Sequence, residues 1–271
     1  MTEARLGCYV YCVVRQEEQP SLTGLSGVDP DFGIEEVTHG DLSALVSGVR
    51  LEEFGAEALK RNLEDLDWVE RTARAHDAVI GRALEADTLV PLRLCTIFID
   101  EDHVREMLER ERESLLDALD RLRGRAEWSV KVLVDSGKLE EAVRERTRAS
   151  SGAGGAGTES PGRAYFATKK ADRSLREEAD AIAAAATEDA HSRLQHQAAA
   201  VTLLRPQNPK LSGRSGQMLL NGAYLVERSR AEEFAALVNE LRDRHREIGL
   251  DFDLSGPWAP YNFVPGERDE P

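Results

Sequence analysis

The first 135 residues alternate between the two-residue hydrophobic period of strands and the longer period of helices. Residues 6–14 are apolar on both faces, which predicts a central strand that is covered on both sides. Two short strand patterns, at residues 34–39 and 42–49, are separated by Gly40 and Asp41, and this spacing is typical of a hairpin. The chain is therefore expected to begin with a strand followed by a hairpin.

From residue 51 the hydrophobic period lengthens, which predicts a long helix. Its apolar face consists of Leu63, Leu66, Val69, Ala73, His76, Ile80 and Leu84. Residues 88–99 return to strand character, with Pro91 indicating a sheet edge or a bulge. Asp100 is a suitable N-cap for the next helix, and residues 127–134 predict a closing strand. This order predicts an α+β fold in which helices pack on one face of a mainly antiparallel sheet.

A second α+β unit follows a stretch of different composition. Residues 136–162 are charged and then rich in glycine and serine, so they are not expected to bury much apolar surface. Beyond them, residues 174–200 predict a helix and residues 217–227 predict a strand. We therefore predict an N-terminal α+β domain at residues 1–135, a linker at 136–162, a C-terminal α+β domain at 163–256 and an extended tail at 257–271.

The tail carries three aromatic residues close to two prolines. Pro257 and Pro260 lack a donor N–H, which excludes a helix and favours an extended chain. A buried aromatic ring removes roughly 150–250 Å² from water, so such a tail is expected to lie in a groove. We predict that Trp258, Pro260, Tyr261 and Phe263 form a contact surface. Two alternatives remain open, since the tail could strap its own domain or bind a partner.

Composition and charge narrow the range of functions. The chain has 271 residues and a formal net charge of −15, which argues against a nucleic-acid-binding protein because such a protein needs a basic face. The same acidity disfavours anionic membrane surfaces, and no apolar run approaches the roughly 20 residues of a membrane span. The three cysteines form no regular framework, and the N-terminus has no signal-peptide pattern. We therefore expect a cytoplasmic protein with reduced thiols.

No motif in the sequence predicts a catalytic, cofactor-binding or metal-binding site. Residues 152–157 match the G-x-G-x-x-G spacing of dinucleotide sites, but they lack the preceding buried strand and the following helix that this mechanism needs. The histidines form no H-x-x-x-H pair, and the cysteines form no C-x-x-C pair. An enzyme or ligand-binding protein remains an alternative if scattered polar residues such as Arg93, His76 and Asn221 converge.

Four stretches of the sequence are distinctive when taken together: Tyr9-Val10-Tyr11, residues 62–76, residues 90–98, and residues 219–226 with 255–264. Their most specific parts are P-L-R-x-x-T-x-F at residues 91–98 and G-P-W-x-P-Y-x-F at residues 256–263. They resemble the GvpL/GvpF family of gas vesicle proteins, and the resemblance runs from about residue 6 to residue 264, apart from the glycine-rich linker. Cys95 stands where the family pattern is expected to have glycine, so the sequence gives no reason to expect a special backbone geometry there.

The resemblance implies an accessory protein of the gas vesicle, which is a gas-filled intracellular protein shell that gives buoyancy. It also implies a modified ferredoxin-like unit in each of two domains, and neither enzymatic activity nor a cofactor. The family is thought to act in shell assembly by contacting the hydrophobic shell subunit and other accessory proteins. We therefore expect a non-enzymatic assembly protein in the cytoplasm or at the gas vesicle, whose partners include neither nucleic acid nor a lipid membrane.

Overall fold

The structure is a computed structural model, and it describes residues 5–17, 22–86, 88–150, 161–206 and 216–264. The chain divides into two compact units. Unit 1 comprises Met1–Glu127 and Trp258–Pro271, and unit 2 comprises Trp128–Pro257. Helices and antiparallel sheets occur in both units, which confirms the predicted α+β class.

The described part of unit 1 is a sheet with helices. Its elements are β1 (Leu6–Arg15), β2 (Glu35–His39), β3 (Leu42–Arg50), α1 (Leu51–Phe54), α2 (Ala56–Asn62), α3 (Leu66–Ala86), β4 (Val90–Pro91), β5 (Ile97–Phe98), α4 (Glu101–Arg110), α5 (Arg112–Leu122) and a 3-10 turn at Tyr261–Phe263. The strand order is β2-β3-β1-β4, and β5 also pairs with β1. Because β3 pairs with β1 along its whole length, β4 and β5 share the other edge of β1.

Strand β1 is the central strand of unit 1, as its apolar pattern predicts. It is buried from Gly7 to Val14, and both α3 and α5 contact it. The β2–β3 hairpin pairs His39 with Leu42 and turns at Gly40, whose φ of +58° lies in the region that favours glycine. The strand and the hairpin predicted from the sequence are therefore present.

The core of unit 1 that matters most for function lies between β1 and α3. Its largest buried side chains include Tyr9 and Tyr11 from β1 and Trp68 from α3.

Helix α4 begins with the predicted N-cap. The carboxylate of Asp100 accepts the His103 backbone N–H at 3.0 Å, as expected for the N-cap. The helix and its cap therefore form where the sequence predicts them.

The described part of unit 2 contains a second sheet and three long helices. Its elements are β6 (Arg125–Val134), α6 (Ser136–Ser150), α7 (Pro161–Gln197), β7 (Ala200–Leu203), β8 (Gln217–Glu227), α8 (Ala231–His245) and β9 (Leu250–Trp258), with 3-10 turns at Arg228–Arg230 and Arg246–Ile248. The strand order is β7-β8-β6-β9. The core joins Phe234 and Leu241 of α8 to Tyr224, Val130 and Phe252 of the sheet.

The observed units differ from the predicted domains in two places. Residues 136–150 form α6, and its Leu139 and Val143 pack with two buried alanines of α7. Because charged residues surround Leu139 and Val143, the sequence shows no clear apolar helix face there. Residues 258–264, the described part of the predicted tail, group with unit 1. Residues 151–160, the glycine-rich part of the predicted linker, lie outside the described residues, and their role as a linker stays a prediction that limited proteolysis can test.

Candidate docking site at the C-terminal aromatic segment

Residues 258–264, called the aromatic segment below, have a buried side and an exposed side. Pro260 is buried, and the alanine before it joins the core cluster of unit 1. Trp258 is 53% exposed and Tyr261 is 37% exposed, whereas Phe263 is half-buried. The four residues predicted to form a contact surface therefore have different roles, because the proline anchors the segment while two aromatic rings face solvent.

A histidine of α3 connects the aromatic segment to the central strand. His76 Nδ1 lies 3.0 Å from the Tyr9 hydroxyl, and His76 Nε2 lies 3.1 Å from the Tyr261 hydroxyl. A neutral imidazole has one donor nitrogen and one acceptor nitrogen, so one hydroxyl donates to the ring and the other accepts from it. Burial lowers the pKa of His76 to about 4, although a backbone hydrogen bond with Leu92 opposes this shift. At neutral pH the uncharged ring therefore bridges two tyrosines.

The Tyr9 hydroxyl is itself held by an unusual backbone position. The Cys95 N–H donates to this hydroxyl at 2.9 Å, and Cys95 has a φ of 64°. A side chain in this left-handed region costs roughly 1–2 kcal/mol, which is why glycine suits it. Residue 95 therefore has a special backbone geometry that its cysteine gave no reason to expect, since this conformation favours glycine.

A buried carboxylate holds the other end of the aromatic segment. Glu127 is 5% exposed and accepts both the backbone N–H of Asn262 at 2.9 Å and its side-chain amide at 2.6 Å. Burial raises the pKa of Glu127, and the two bonds from Asn262 oppose that rise. The Arg121 guanidinium donates to the Phe263 carbonyl at 3.1 Å. The segment is therefore held by its backbone, by the Asn262 amide and by the Tyr261 hydroxyl, while Trp258 and Tyr261 keep part of their ring surface exposed.

Sequence reasoning identified only part of this arrangement. The helical period placed His76 on the apolar face of the predicted helix, and the structure buries this histidine with both ring nitrogens hydrogen-bonded. Glu127 was missed because a single acidic residue at the start of a strand gives no pattern that distinguishes it from a solvated one. Cys95 was noticed only as a departure from a family pattern, and its role depends on a backbone angle that the sequence does not show.

The three residues of the alternative enzyme hypothesis have separate structural roles. Both ring nitrogens of His76 are engaged by tyrosine hydroxyls. Arg93 is exposed on the chain between β4 and β5, where its carbonyl accepts from the Thr96 hydroxyl at 2.7 Å. Asn221 belongs to unit 2, and its amide donates to the Arg205 carbonyl at 3.0 Å. Among the described residues, the geometry therefore gives no support to a site built from these three side chains.

Within the described residues, no group of three or more His, Cys, Asp or Glu side chains is arranged to hold a metal ion. Across the part of the chain that the structure describes, no helix combines the length and the apolar character needed to cross a membrane. The free thiols of Cys8 and Cys12 are buried, and burial raises the pKa of both.

Charge and exposed apolar side chains are concentrated in unit 1. Of the 50 Asp and Glu and the 35 Lys and Arg in the chain, unit 1 holds 31 and 16, so the net charge of −15 falls on unit 1 and unit 2 holds 19 of each sign. Among the side chains that the structure describes, the exposed large apolar ones are Leu6, Leu63, Leu66, Ile99, Trp258 and Tyr261 in unit 1 and Leu203 in unit 2. Unit 1 therefore combines the net negative charge with most of the exposed large apolar side chains among the described residues.

Comparison with known proteins points to one family along the whole chain. The family model described as "Gas vesicle synthesis protein GvpL/GvpF" matches residues 7–265. Gas vesicle protein L of Streptomyces sp. (strain CB03234) is 37% identical over 259 residues, which cover 94% of this chain and 92% of the relative. Gas vesicle protein F of the same strain is 29% identical over 270 residues, which cover 96% of this chain and 100% of the relative. The crystal structure of GvpF from Anabaena sp. PCC7120 has a TM-score of 0.69 at 19% identity, covering 97% of this chain and 98% of that one.

Proposed function

The chain belongs to the GvpL/GvpF family of gas vesicle synthesis proteins, and from that premise we propose that it assists gas vesicle assembly by binding other proteins. Its partners are the hydrophobic shell subunit and other accessory proteins of the vesicle. It acts in the cytoplasm or at the vesicle, catalyses no reaction and needs no cofactor. The observation that carries this proposal is the family match over residues 7–265.

The physical reason for such a protein lies in the shell subunit. A shell that holds gas needs a strongly apolar subunit, and apolar surface of that kind aggregates unless another protein covers it during assembly. The net charge of −15 on unit 1 favours keeping such a complex in solution. An acidic protein that also exposes apolar side chains can therefore bind an apolar subunit without precipitating with it.

The aromatic segment supplies the contact residues in this proposal. Trp258 and Tyr261 face solvent while the backbone beneath them is held by Glu127 and Arg121. Rigid, exposed aromatic rings are the side chains that most often dominate binding energy at interfaces, because little conformational freedom is lost when they bind. We infer that the backbone and the Tyr261 hydroxyl anchor the segment to its own unit, and that the exposed parts of the two rings contact partners.

Deletion and complementation in a vesicle-forming host would test the proposal. The deletion strain, with the shell subunit still expressed, should form few or no vesicles by electron microscopy, and the wild-type gene should restore them. Trp258→Ala should restore vesicles poorly, whereas Leu203→Ala in unit 2 should restore them fully because this matched control also truncates a half-exposed apolar side chain. Normal vesicles in the deletion strain, without a second family member to substitute, would overturn the assembly role.

A further inference from the structure

Unit 2 contains a cavity of about 630 Å³ that is bounded by helix α6, helix α7 and two strands of the sheet. Strand β6 contributes Val134, strand β8 contributes Leu220, α6 contributes Leu139, and α7 contributes Ala179 and Ala183. All five side chains are buried. The two alanines lie one turn apart, and their small side chains leave space that longer ones would fill in a close-packed interior. The cavity lies in the size range of small-molecule sites.

One stripe of α7 forms a solvent-exposed rim of this cavity. Asp180, Ala184 and Glu188 are exposed, line the cavity and follow one another at intervals of four residues. Residues with this spacing lie on the same face of a helix. Eight residues of helix rise about 12 Å, so the two carboxylates stand two turns apart with only a methyl side chain between them.

The charged side chains of the cavity do not neutralise one another. Within the described residues, the carboxylates of Asp180 and Glu188 have no ion pair or hydrogen bond. Arg176, one turn before Asp180, instead contacts Glu140 of α6 at 3.4 Å. The lining holds three carboxylates and one guanidinium, which leaves a formal charge of −2. This charge suits a ligand that carries two positive charges.

We propose that this cavity binds a linear aliphatic diamine, a molecule with an ammonium group at each end of an apolar chain. One ammonium group would contact Asp180 and the other Glu188, while the methylene groups between them would lie along Ala184 and the apolar lining. A monoamine of the same length would leave one carboxylate without a partner. This site is distinct from the aromatic segment, and the proposal does not depend on a role in gas vesicle assembly.

The exposure of both carboxylates limits the affinity. Ion pairs between exposed groups are weak and are screened by salt, so they contribute less than the methylene groups that leave water. We therefore expect a dissociation constant of about 0.1–1 mM for a diamine of matching length. Added salt should weaken the binding without abolishing it, because the apolar contribution does not depend on ionic strength.

Titration of the isotopically labelled full chain with three amines, followed by amide chemical shifts, would test this. With 1,8-diaminooctane, saturable shifts should centre on residues 180–188 and on Leu219 and Leu220. Octylamine, which lacks the second charge, should bind about threefold to fivefold more weakly. The shorter 1,4-diaminobutane should bind at least about tenfold more weakly, because it lacks four methylene groups. Equal binding by either control amine, or no saturation, would overturn the proposal.

Matched variants of α7 separate this cavity from general attraction of cations to an acidic protein. Ala184→Lys places an ammonium group four residues from each carboxylate, so it should weaken 1,8-diaminooctane about tenfold. Ala185→Lys adds the same charge at an exposed neighbour outside the lining and should leave binding unchanged. Lysine is a good helix former, and circular dichroism should show both variants folded. Equal losses would mean that only the net charge matters, which contradicts a defined site.

A charge-neutralised pair tests the two carboxylates through the choice between ligands. Asp180→Asn with Glu188→Gln should abolish the preference for 1,8-diaminooctane over octylamine. Glu178→Gln with Asp189→Asn removes the same charge from exposed positions of α7 outside the lining, and should keep that preference. A preference that survives in the first pair would show that these carboxylates do not hold the two ends of the ligand, and would overturn the proposal.

Basic residues of the chain itself are a competing occupant of an acidic cavity. Lys210→Ser with Arg214→Ser, at two positions outside the described residues, should leave the binding of 1,8-diaminooctane unchanged. Binding that appears only in this variant would identify the chain's own residues as the occupant and would overturn the proposal.

Discussion

In both units a buried tyrosine of a central strand contacts a histidine of a long helix. The two histidines differ in how many tyrosines they contact. In unit 1 the Tyr9 hydroxyl contacts His76, and the second ring nitrogen of His76 contacts Tyr261 in the aromatic segment. In unit 2 the Tyr224 hydroxyl lies 2.9 Å from His191 Nδ1, and this histidine is half-buried. The same pairing therefore stabilises a core in unit 2 and additionally anchors a distant part of the chain in unit 1.

The two units also differ in net charge and in the exposure of large apolar side chains. Unit 1 carries the whole net charge of −15, whereas unit 2 is formally neutral, and among the described side chains most of the exposed large apolar ones lie in unit 1. The difference teaches that the features suited to recognition are concentrated in the unit that also holds the aromatic segment.

The largest expected effect is a difference in stability loss between alanine variants of the two histidines. His76→Ala should lower the free energy of unfolding by roughly 3–4 kcal/mol, because it removes a buried ring and leaves two tyrosine hydroxyls with one partner fewer. His191→Ala, which removes a half-buried ring with one such contact, should cost about 1 kcal/mol. Urea unfolding measures both. Equal losses would show that His76 does not anchor the aromatic segment.

The second effect depends on pH. Burial lowers the pKa of His76 from 6.5 to about 4, so between these values the unfolded chain binds more protons than the folded chain. The stability that this provides is fully present above about pH 6.5 and is lost as the pH falls towards 4, by up to about 3 kcal/mol. Glu127, whose pKa burial raises, acts in the opposite sense. Urea unfolding of wild type and His76→Phe between pH 7 and 4 isolates the histidine, whose contribution should be missing from the variant.

A smaller effect tests the left-handed backbone position in unit 1. Cys95→Gly should raise stability by about 0.5–1 kcal/mol, because glycine relieves the cost of a positive φ and part of that gain is offset by its greater freedom in the unfolded chain. Leu94→Gly is the matched control and should be destabilising, since Leu94 has no positive φ. Thermal unfolding measures both variants. Destabilisation by Cys95→Gly would mean that the thiol, half-buried, contributes more than the backbone strain costs.

The smallest effect concerns Trp258. Because its ring is 53% exposed, Trp258→Ala should lower the stability of unit 1 by less than about 1 kcal/mol, well below the roughly 3–5 kcal/mol expected for a buried ring. Partner binding should be affected much more strongly than stability. A loss of several kcal/mol in urea unfolding would instead identify the ring as a strap within its own unit.

The sequence indicated most of the elements because each one carries a local signal. Neighbouring residues were enough to predict the two-sided apolar run of β1, the hairpin at Gly40 and the N-cap at Asp100. Helix α6 was read as part of a linker, because Leu139 and Val143 are surrounded by charges and their burial depends on a distant helix. The aromatic segment was predicted to be a contact surface, which stays a prediction, and its attachment to unit 1 depends on residues more than a hundred positions away in the chain.

By itself the sequence determined the fold class, the family and the presence of an aromatic surface, because hydrophobic period, turn residues and a specific motif are all local properties. Only the tertiary structure decided which side of that surface is buried. It brought Tyr9, His76 and Tyr261 into one hydrogen-bonded chain and placed Cys95 in a left-handed conformation beneath it. These contacts form because burying a polar group without a partner is costly, so the fold must pair groups that no local pattern connects.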